Sequence, residues 1–392
     1  MPGYKVTMLP DALVQTYTLQ AGRDCPALSL YVTLDEATLE IKGHESRIER
    51  VSIAHNLRHD QLDAIVTEPW LLDSSFNHEN EPQPLPALRE PLSFLYRLAR
   101  DLKAKREIVR GKPETFNRPD YNFRLVGNDS AEPQGGETVQ ISTRQRGAPL
   151  DLIVAEAMIL ANSTWGSWMA ELGVPGIYRS QASLAPGVKV RMGTKALPHA
   201  GIGVKSYAWS SSPLRRYTDL VNQWQIIACV QHGKTAALAA PFKPKDASLF
   251  SIISSFDEAY SAYNGYQGAM ERFWTLKYLQ QNGITELEAS VFKDNMVRAD
   301  TLPLVLPVMG GQNLPRGARV RVKLGQMDLI TLDISGTVVE RLDTPVAEQG
   351  AVDSAEDDAE EDDEVSGPIA IAVDVSEPAE PVEAAPNDNP AP

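Results

Sequence analysis

Residues 207–220 read YAWSSSPLRRYTDL: two adjacent arginines behind a Ser-Ser-Ser-Pro turn, with an aromatic residue on either side. A proline turn that opens a helix with Arg215 and Arg216 at its first residues fixes two guanidinium groups beside free backbone donors. Phosphate is the anion that such a fork suits best, because the planar guanidinium offers paired N–H bonds and the helix start adds unpaired ones. Spacing alone leaves a second reading open, in which an arginine braces the turn by pairing with Asp219 or another carboxylate.

The formal charge of the chain is −15, which at first sight argues against an anionic partner. The charge is unevenly placed. Residues 343–392 hold 16 acidic residues and no Lys or Arg, so residues 1–342 carry 37 basic against 36 acidic ones. The low isoelectric point belongs to the tail, and a near-neutral body can hold a local basic groove. The tail, rich in Ala, Pro, Glu and Asp with EDDAEEDDE at 356–364, buries too little apolar surface to offset chain entropy and is expected to be disordered. A body of this length suits a large core and two domains. Cys25 and Cys229 have neither CxxC spacing nor partners for a zinc site, which points to buried thiols in a reducing cytoplasm. No apolar run has the length of a membrane span, and the N-terminal residues lack the pattern of a signal peptide.

Working outward, residues 27–43 alternate as two strands meeting at Asp35-Glu36. PLSFLYRLARDLKAKREIVRG (91–111) spaces Leu92, Leu95, Leu98 and Leu102 as a surface helix with a basic face and a glycine stop. TVQISTRQRG (138–147) reads as a hairpin or an edge strand. The segment 150–173 is apolar nearly all round, the mark of a buried helix. In the long helical stretch 247–280, Phe250, Ile253, Phe256, Tyr260, Tyr263 and Tyr266 recur at three and four, a row expected to pack in the core. From about Leu287 the texture turns to short strands. In ARVRVKL, Val320, Val322 and Leu324 alternate with Arg319, Arg321 and Lys323, which predicts a small β-barrel with one basic face. Such barrels often carry oligonucleotides, although outward basic residues also serve solubility.

The stretch at 207–220 resembles the signature of the ribonuclease II family, the RNB domain, in which a segment like YxxxTSPxRRYxDL lies in the catalytic channel. Six further segments occur in the family's order: PGYKVTMLP at 2–10, FNRPDYNFRL at 116–125, IVAEAMILAN at 153–162, GIYR at 176–179, PHAGIGVKSYAW at 198–209 and MERFWTLKYL at 270–279. The resemblance covers about residues 2–342 and implies an α+β fold. Its parts are a partial RNB catalytic domain, a mixed sheet with helices, over 1–285; a divergent S1/OB-like β-barrel over 286–342; and the acidic tail over 343–392.

What the resemblance implies is 3′ to 5′ exoribonuclease activity on single-stranded RNA, yielding nucleoside 5′-monophosphates with Mg2+. Arg215 matches the arginine on the scissile phosphate and Glu271 a glutamate near the metal-bound water. Phe116 falls where an aromatic stacks on bases at the 3′ end. Glu156 matches a position linked to ribose recognition, plausible because a carboxylate can accept from a 2′-OH. Arg216, Tyr217 and the barrel residues Arg319, Arg321 and Lys323 complete the expected RNA contacts, together with His59, which replaces a family tyrosine of the 3′-end clamp. After DLVN the family often has His-Arg, where this chain has Gln223-Trp224.

The larger departure is in the metal ligands. Two-metal hydrolysis needs closely set carboxylates holding cations about 4 Å apart. The family's aspartate segment lies N-terminal to PGYKVTMLP, and this chain has no such cluster outside the tail. The expectation is a C-terminal part of an RNB enzyme whose aspartates come from an upstream segment or a separate chain. The alternative is a catalytically inactive RNA-binding or regulatory remnant.

Overall fold

The structure, a computed structural model, describes residues 7–73, 75–76, 81–114, 119–127, 135–144, 147–293 and 295–343, with the backbone alone of 59–60 and 370–371. Phe116, the side chain of His59 and the acidic tail apart from Asp343 and 370–371 lie outside the described residues.

After a short helix, α1 (Asp11–Tyr17), the alternating N-terminal stretch forms a two-stranded antiparallel ribbon, β1 (Arg23–Leu34) and β2 (Ile41–Ile53). Its register sets Cys25 opposite Val51 and Tyr31 opposite Glu45. The turn falls at Asp35, as the sequence predicts, because its carboxylate accepts from the backbone N–H groups of Ala37 (3.1 Å) and Thr38 (3.0 Å). These bonds hold the Asp35 carboxyl below its usual range.

Two short helices, α2 (His59–Leu62) and α3 (Glu68–Leu72), lead into α4 (Leu85–Arg110). That helix ends at Gly111, whose φ of 82° is the left-handed conformation that glycine adopts without cost. Trp70, Leu85, Leu92 and Tyr96 form a local core between α3 and α4, closed by Leu150 of the next helix. The hairpin β3 (Asp120–Val126) and β4 (Thr138–Arg144) follows, then α5 (Pro149–Glu171). Arg144 fastens these pieces, donating to Asp63 at 2.7 Å and to Asp151 at 2.6 Å.

The expectation of a wholly buried α5 holds only for its second half, where Trp165 and Met169 enter the core. Val154 and Met158 are exposed. The first half leans on α4 through a buried Glu156–Arg106 pair, which covers one side of the helix.

Short strands β5 (Tyr178–Ser180) and β6 (Arg191–Gly193) precede α6 (Tyr217–His232), α7 (Ala236–Ala239) and α8 (Ala247–Gln281). The aromatic row of α8 divides. Ile253 is fully buried and Phe256 and Tyr260 pack beside it, whereas Tyr263 and Tyr266 are exposed, contrary to the expected core row. Five strands then close into a barrel: β7 (Glu286–Lys293), β8 (Met296–Ala299), β9 (Val305–Met309), β10 (Arg319–Leu324) and β11 (Gly336–Arg341). Pairing runs β7-β8-β9-β11-β10 and back to β7, antiparallel except between β9 and β11. Leu276 and Leu279 of α8 join the barrel core, and Arg272 donates to the carbonyls of Leu332 and Val305, both at 2.7 Å. In the tail, β12 (Ala370–Ile371) pairs in parallel with β6, so at these two residues a strand replaces the expected disorder.

One tight approach yields a test of the fold. Gly203 has φ +76°, and a Cβ there would collide with the backbone carbonyl of Arg106. Gly203→Ala is expected to cost about 1–3 kcal/mol, seen as a lowered Tm, because both the left-handed backbone and the collision oppose a side chain.

Candidate functional site

The turn before α6 is built by the backbone carbonyl of Ser212, which accepts from Arg215 N (3.2 Å) and Arg216 N (3.0 Å). Arg216 is the N-cap, and Asp219, three residues on, reaches back over the helix start. Its Oδ1 accepts from Ser212 N at 2.8 Å and from Arg216 Nη2 at 2.7 Å, and its Oδ2 from Arg216 Nε at 2.9 Å. Asp219 is fully buried, so this bidentate pair neutralises Arg216 within the fold.

Arg215 has the opposite fate. It is exposed, and its side chain makes no hydrogen bond, ion pair or ring contact among the described residues. The two readings of the arginine pair therefore divide between the two residues: Arg216 braces, and Arg215 is available to an anion.

Three amide side chains hold the loop that carries this pair. Asn162 of α5 accepts from Ser210 N at 2.9 Å and donates to Tyr207 Oη and Ser211 Oγ, both at 3.3 Å. Asn222 of α6 donates to the carbonyls of Ile177 (2.9 Å) and Trp209 (2.8 Å) and accepts from Ile177 N at 2.7 Å. Gln223 donates to Ser210 O at 2.8 Å. Trp209 lies between two cations, with the Arg179 and Arg216 guanidinium carbons each 4.1 Å from the ring centroid. Its edges meet Phe256 and Tyr260 of α8, each at 6.4 Å. Sequence reasoning did not single out Asn162, Asn222, Arg179 or Trp209 as site residues. A buried amide inside the otherwise apolar 150–173 helix is the signal that could have found Asn162, since buried polar groups are hydrogen-bonded.

Glu271 stands on α8 about 16 Å along the axis from Tyr260. It is half-buried without a polar partner among the described residues, and burial raises its carboxyl above the usual range. Glu156 does not face an open surface. It is 2% exposed, and Arg106 donates to both of its oxygens, with Arg106 Nε at 3.0 Å from Oε2. The basic barrel face is largely neutralised as well. Arg319 contacts Glu288 (2.8 Å) and Asp300 (3.1 Å), and Arg321 pairs with Glu340 on the neighbouring strand. Lys323 is exposed and has no such partner among the described residues.

Residues 1–192 and 188–232, more than half of the chain, match the family model for the RNB domain. The chain belongs to the RNB domain family. It is 26% identical over 361 residues to an uncharacterised ribonuclease of Synechocystis sp., with 84% of this chain and 48% of that protein covered. It is 24% identical to the mitochondrial exoribonuclease II of Saccharomyces cerevisiae, with 76% and 32% covered. The chain spans about half the length, or less, of the curated relatives it matches. Among solved structures, an active-site mutant of the Dss1 exoribonuclease from Candida glabrata superposes with a TM-score of 0.63 at 19% identity, covering 86% of this chain and 45% of that one. RNase R of Mycoplasma genitalium, in complex with double-stranded RNA, gives 0.62 at 15% identity, covering 86% and 65%.

For the magnesium that the RNB family implies, the donor set is the test. Among the described residues no three His, Cys, Asp or Glu side chains gather into a group that could hold a metal ion. Of the carboxylates singled out, Asp219 is committed to Arg216, and Glu271 belongs to no such group among the described residues. The described residues therefore do not fit a two-metal centre by themselves.

Edge-on to Tyr207, with ring centroids 5.9 Å apart, lies His199 of the RNB segment PHAGIGVKSYAW. It is 1% exposed, and its Nδ1 accepts from Ile202 N at 3.3 Å. Its Nε2 has no partner among the described residues, and burial, with the nearby Arg179 charge, lowers its pKa to about 3. The folded chain thus refuses a proton that the unfolded chain accepts near pH 6.5. Stability from neutral His199 is complete above about pH 6.5 and is lost as pH falls toward about 3, at up to about 1.4 kcal/mol per pH unit. Thermal melts between about pH 4 and 7 should show a flatter acid limb for His199→Leu than for the parent chain.

Proposed function

We propose that this chain forms the phosphate-gripping part of a 3′ to 5′ exoribonuclease that acts on single-stranded RNA and releases nucleoside 5′-monophosphates. The carrying observation is the division of the arginine pair: Arg215 free and exposed on a turn that buried Asp219, Asn162 and Asn222 hold rigid. A preorganised, unpaired guanidinium is suited to charge that builds on a phosphate, where one well-placed donor is worth about 10²–10³ in rate. Magnesium would take its ligands from outside the described residues, on another part of the molecule or on a separate chain. Glu271, kept from ionising easily by burial, is the candidate acid or base beside that centre.

The barrel that follows extends the RNA path. Its strand order, first-second-third-fifth-fourth with one parallel pair, supports an S1/OB-type assignment, and Lys323 is the basic residue on β10 that remains free for a backbone phosphate. Two buried free cysteines are in keeping with a reducing cytoplasm, and among the described residues no helix is long and apolar enough to cross a membrane.

The test uses the purified chain with magnesium and a 3′-tailed, end-labelled RNA. Salt-sensitive binding is the expected result for this chain alone, with stepwise shortening from the 3′ end to 5′-monophosphate products once the missing carboxylates are supplied. Binding that yields no shortening even then would identify an RNA-holding remnant, and no binding at any salt would sink the RNA reading altogether.

A further inference from the structure

We infer that Tyr217 and Trp224 form a stacking platform for a base of the RNA whose phosphate meets Arg215; this rests on the RNA reading above. The two residues are seven apart on α6, two turns along one face. Their rings meet edge to face, with centroids 6.3 Å apart and planes at 86°, so the pair is ordered and still keeps open ring surface. Tyr217 is 40% exposed and Trp224 37%.

The opposite face of α6 is fixed. Asp219, Asn222 and Ile226 are fully buried there, and Asn222 and Gln223 tie the helix to the loop behind it. The platform is therefore held by the same network that holds Arg215, two residues before Tyr217. That neighbour selects the occupant. A free guanidinium beside two exposed rings matches a phosphate beside a base, and base stacking on an aromatic side chain tolerates any sequence.

Gln223-Trp224 also stands where the RNB resemblance leads one to expect His-Arg. Gln223 is committed to a backbone carbonyl, so one potential phosphate donor has become a structural tie and the other a ring. Charge has been exchanged for stacking. Grip at this point should then depend more on bases and less on salt.

Fluorescence anisotropy of the intact chain with a labelled oligoadenylate and an abasic oligoribonucleotide of equal length and charge reads this directly. The parent chain is expected to prefer the base-bearing strand by about tenfold. Trp224→Ala should lower that ratio while leaving the salt slope unchanged, and Tyr217→Ala should lower it independently. Trp224→Phe, which keeps a ring, should retain most of the preference and serves as the folding control. Arg215→Ala should weaken both strands alike and reduce the salt slope by about one. If folded Trp224→Ala and Tyr217→Ala keep the full preference while Arg215→Ala still weakens binding, the platform is overturned and the RNA reading stands. If the parent binds neither strand, both fall together.

Discussion

Arg215→Ala is expected to lower the proposed magnesium-dependent RNA cleavage, once the missing carboxylates are supplied, by about 10²–10³ without changing Tm, whereas Arg216→Ala is expected to unfold the site. The difference follows from what each guanidinium touches. Arg215 is exposed and unpartnered among the described residues, so truncating it leaves no buried group unsatisfied. Arg216 neutralises Asp219, which is fully buried, and removing it strands a carboxylate in the interior. Loss of one partner from a buried pair typically costs about 3–5 kcal/mol.

Two measurements separate the variants. Thermal or urea melts should place Arg215→Ala with the parent and Arg216→Ala well below it. Single-turnover cleavage, or RNA affinity across a salt series if cleavage is absent, should show the Arg215→Ala loss at full folding. A large stability loss in Arg215→Ala, or none in Arg216→Ala, would refute the division. The stack of Arg216 on Trp209 adds a further readout, since Trp209 emission should change in Arg216→Ala and not in Arg215→Ala.

Features that depend on near neighbours in the chain are legible in its sequence. Alternation at 27–43 marks the ribbon and its turn at Asp35, and Gly111 marks the end of α4, because both are local matters of side-chain period and backbone freedom. The Arg216–Asp219 pair, three residues apart at the start of a helix, is open to the same kind of reading. Features set by strand register, or by residues distant in the chain, are not legible. Arg319 and Arg321 look like a basic face until cross-strand pairing brings Glu288 and Glu340 beside them. The row on α8 looks uniform, yet packing against Ile253 ends short of Tyr263 and Tyr266. The resemblance marks Glu156 as a ribose-recognition position, and its partner Arg106, 50 residues away, is not visible to that reading.

That pair carries the second large expected effect. Glu156→Ala should destabilise the chain by about 3–5 kcal/mol, measured as a shift of the urea midpoint at constant slope. Arg106 would lose both of its bonds to Glu156, and its remaining partners are the Ile202 carbonyl at 2.6 Å and the partly exposed Glu114 at 3.2 Å. Neither replaces a buried carboxylate. The guanidinium is itself buried, so it cannot turn to water without moving the α4 terminus away from α5. Replacing both members with apolar residues of similar size, Arg106→Met with Glu156→Leu, should recover much of the loss, because desolvation offsets most of the attraction within a buried pair. The same variants decide the ribose role that the family resemblance implies for Glu156. A bracing role predicts that the double variant, once stable, keeps the parent's preference for RNA over DNA of the same sequence. If that preference disappears while folding is restored, Glu156 leaves Arg106 to meet the 2′-OH when RNA is bound, and the buried pair is the resting partner of a recognition residue.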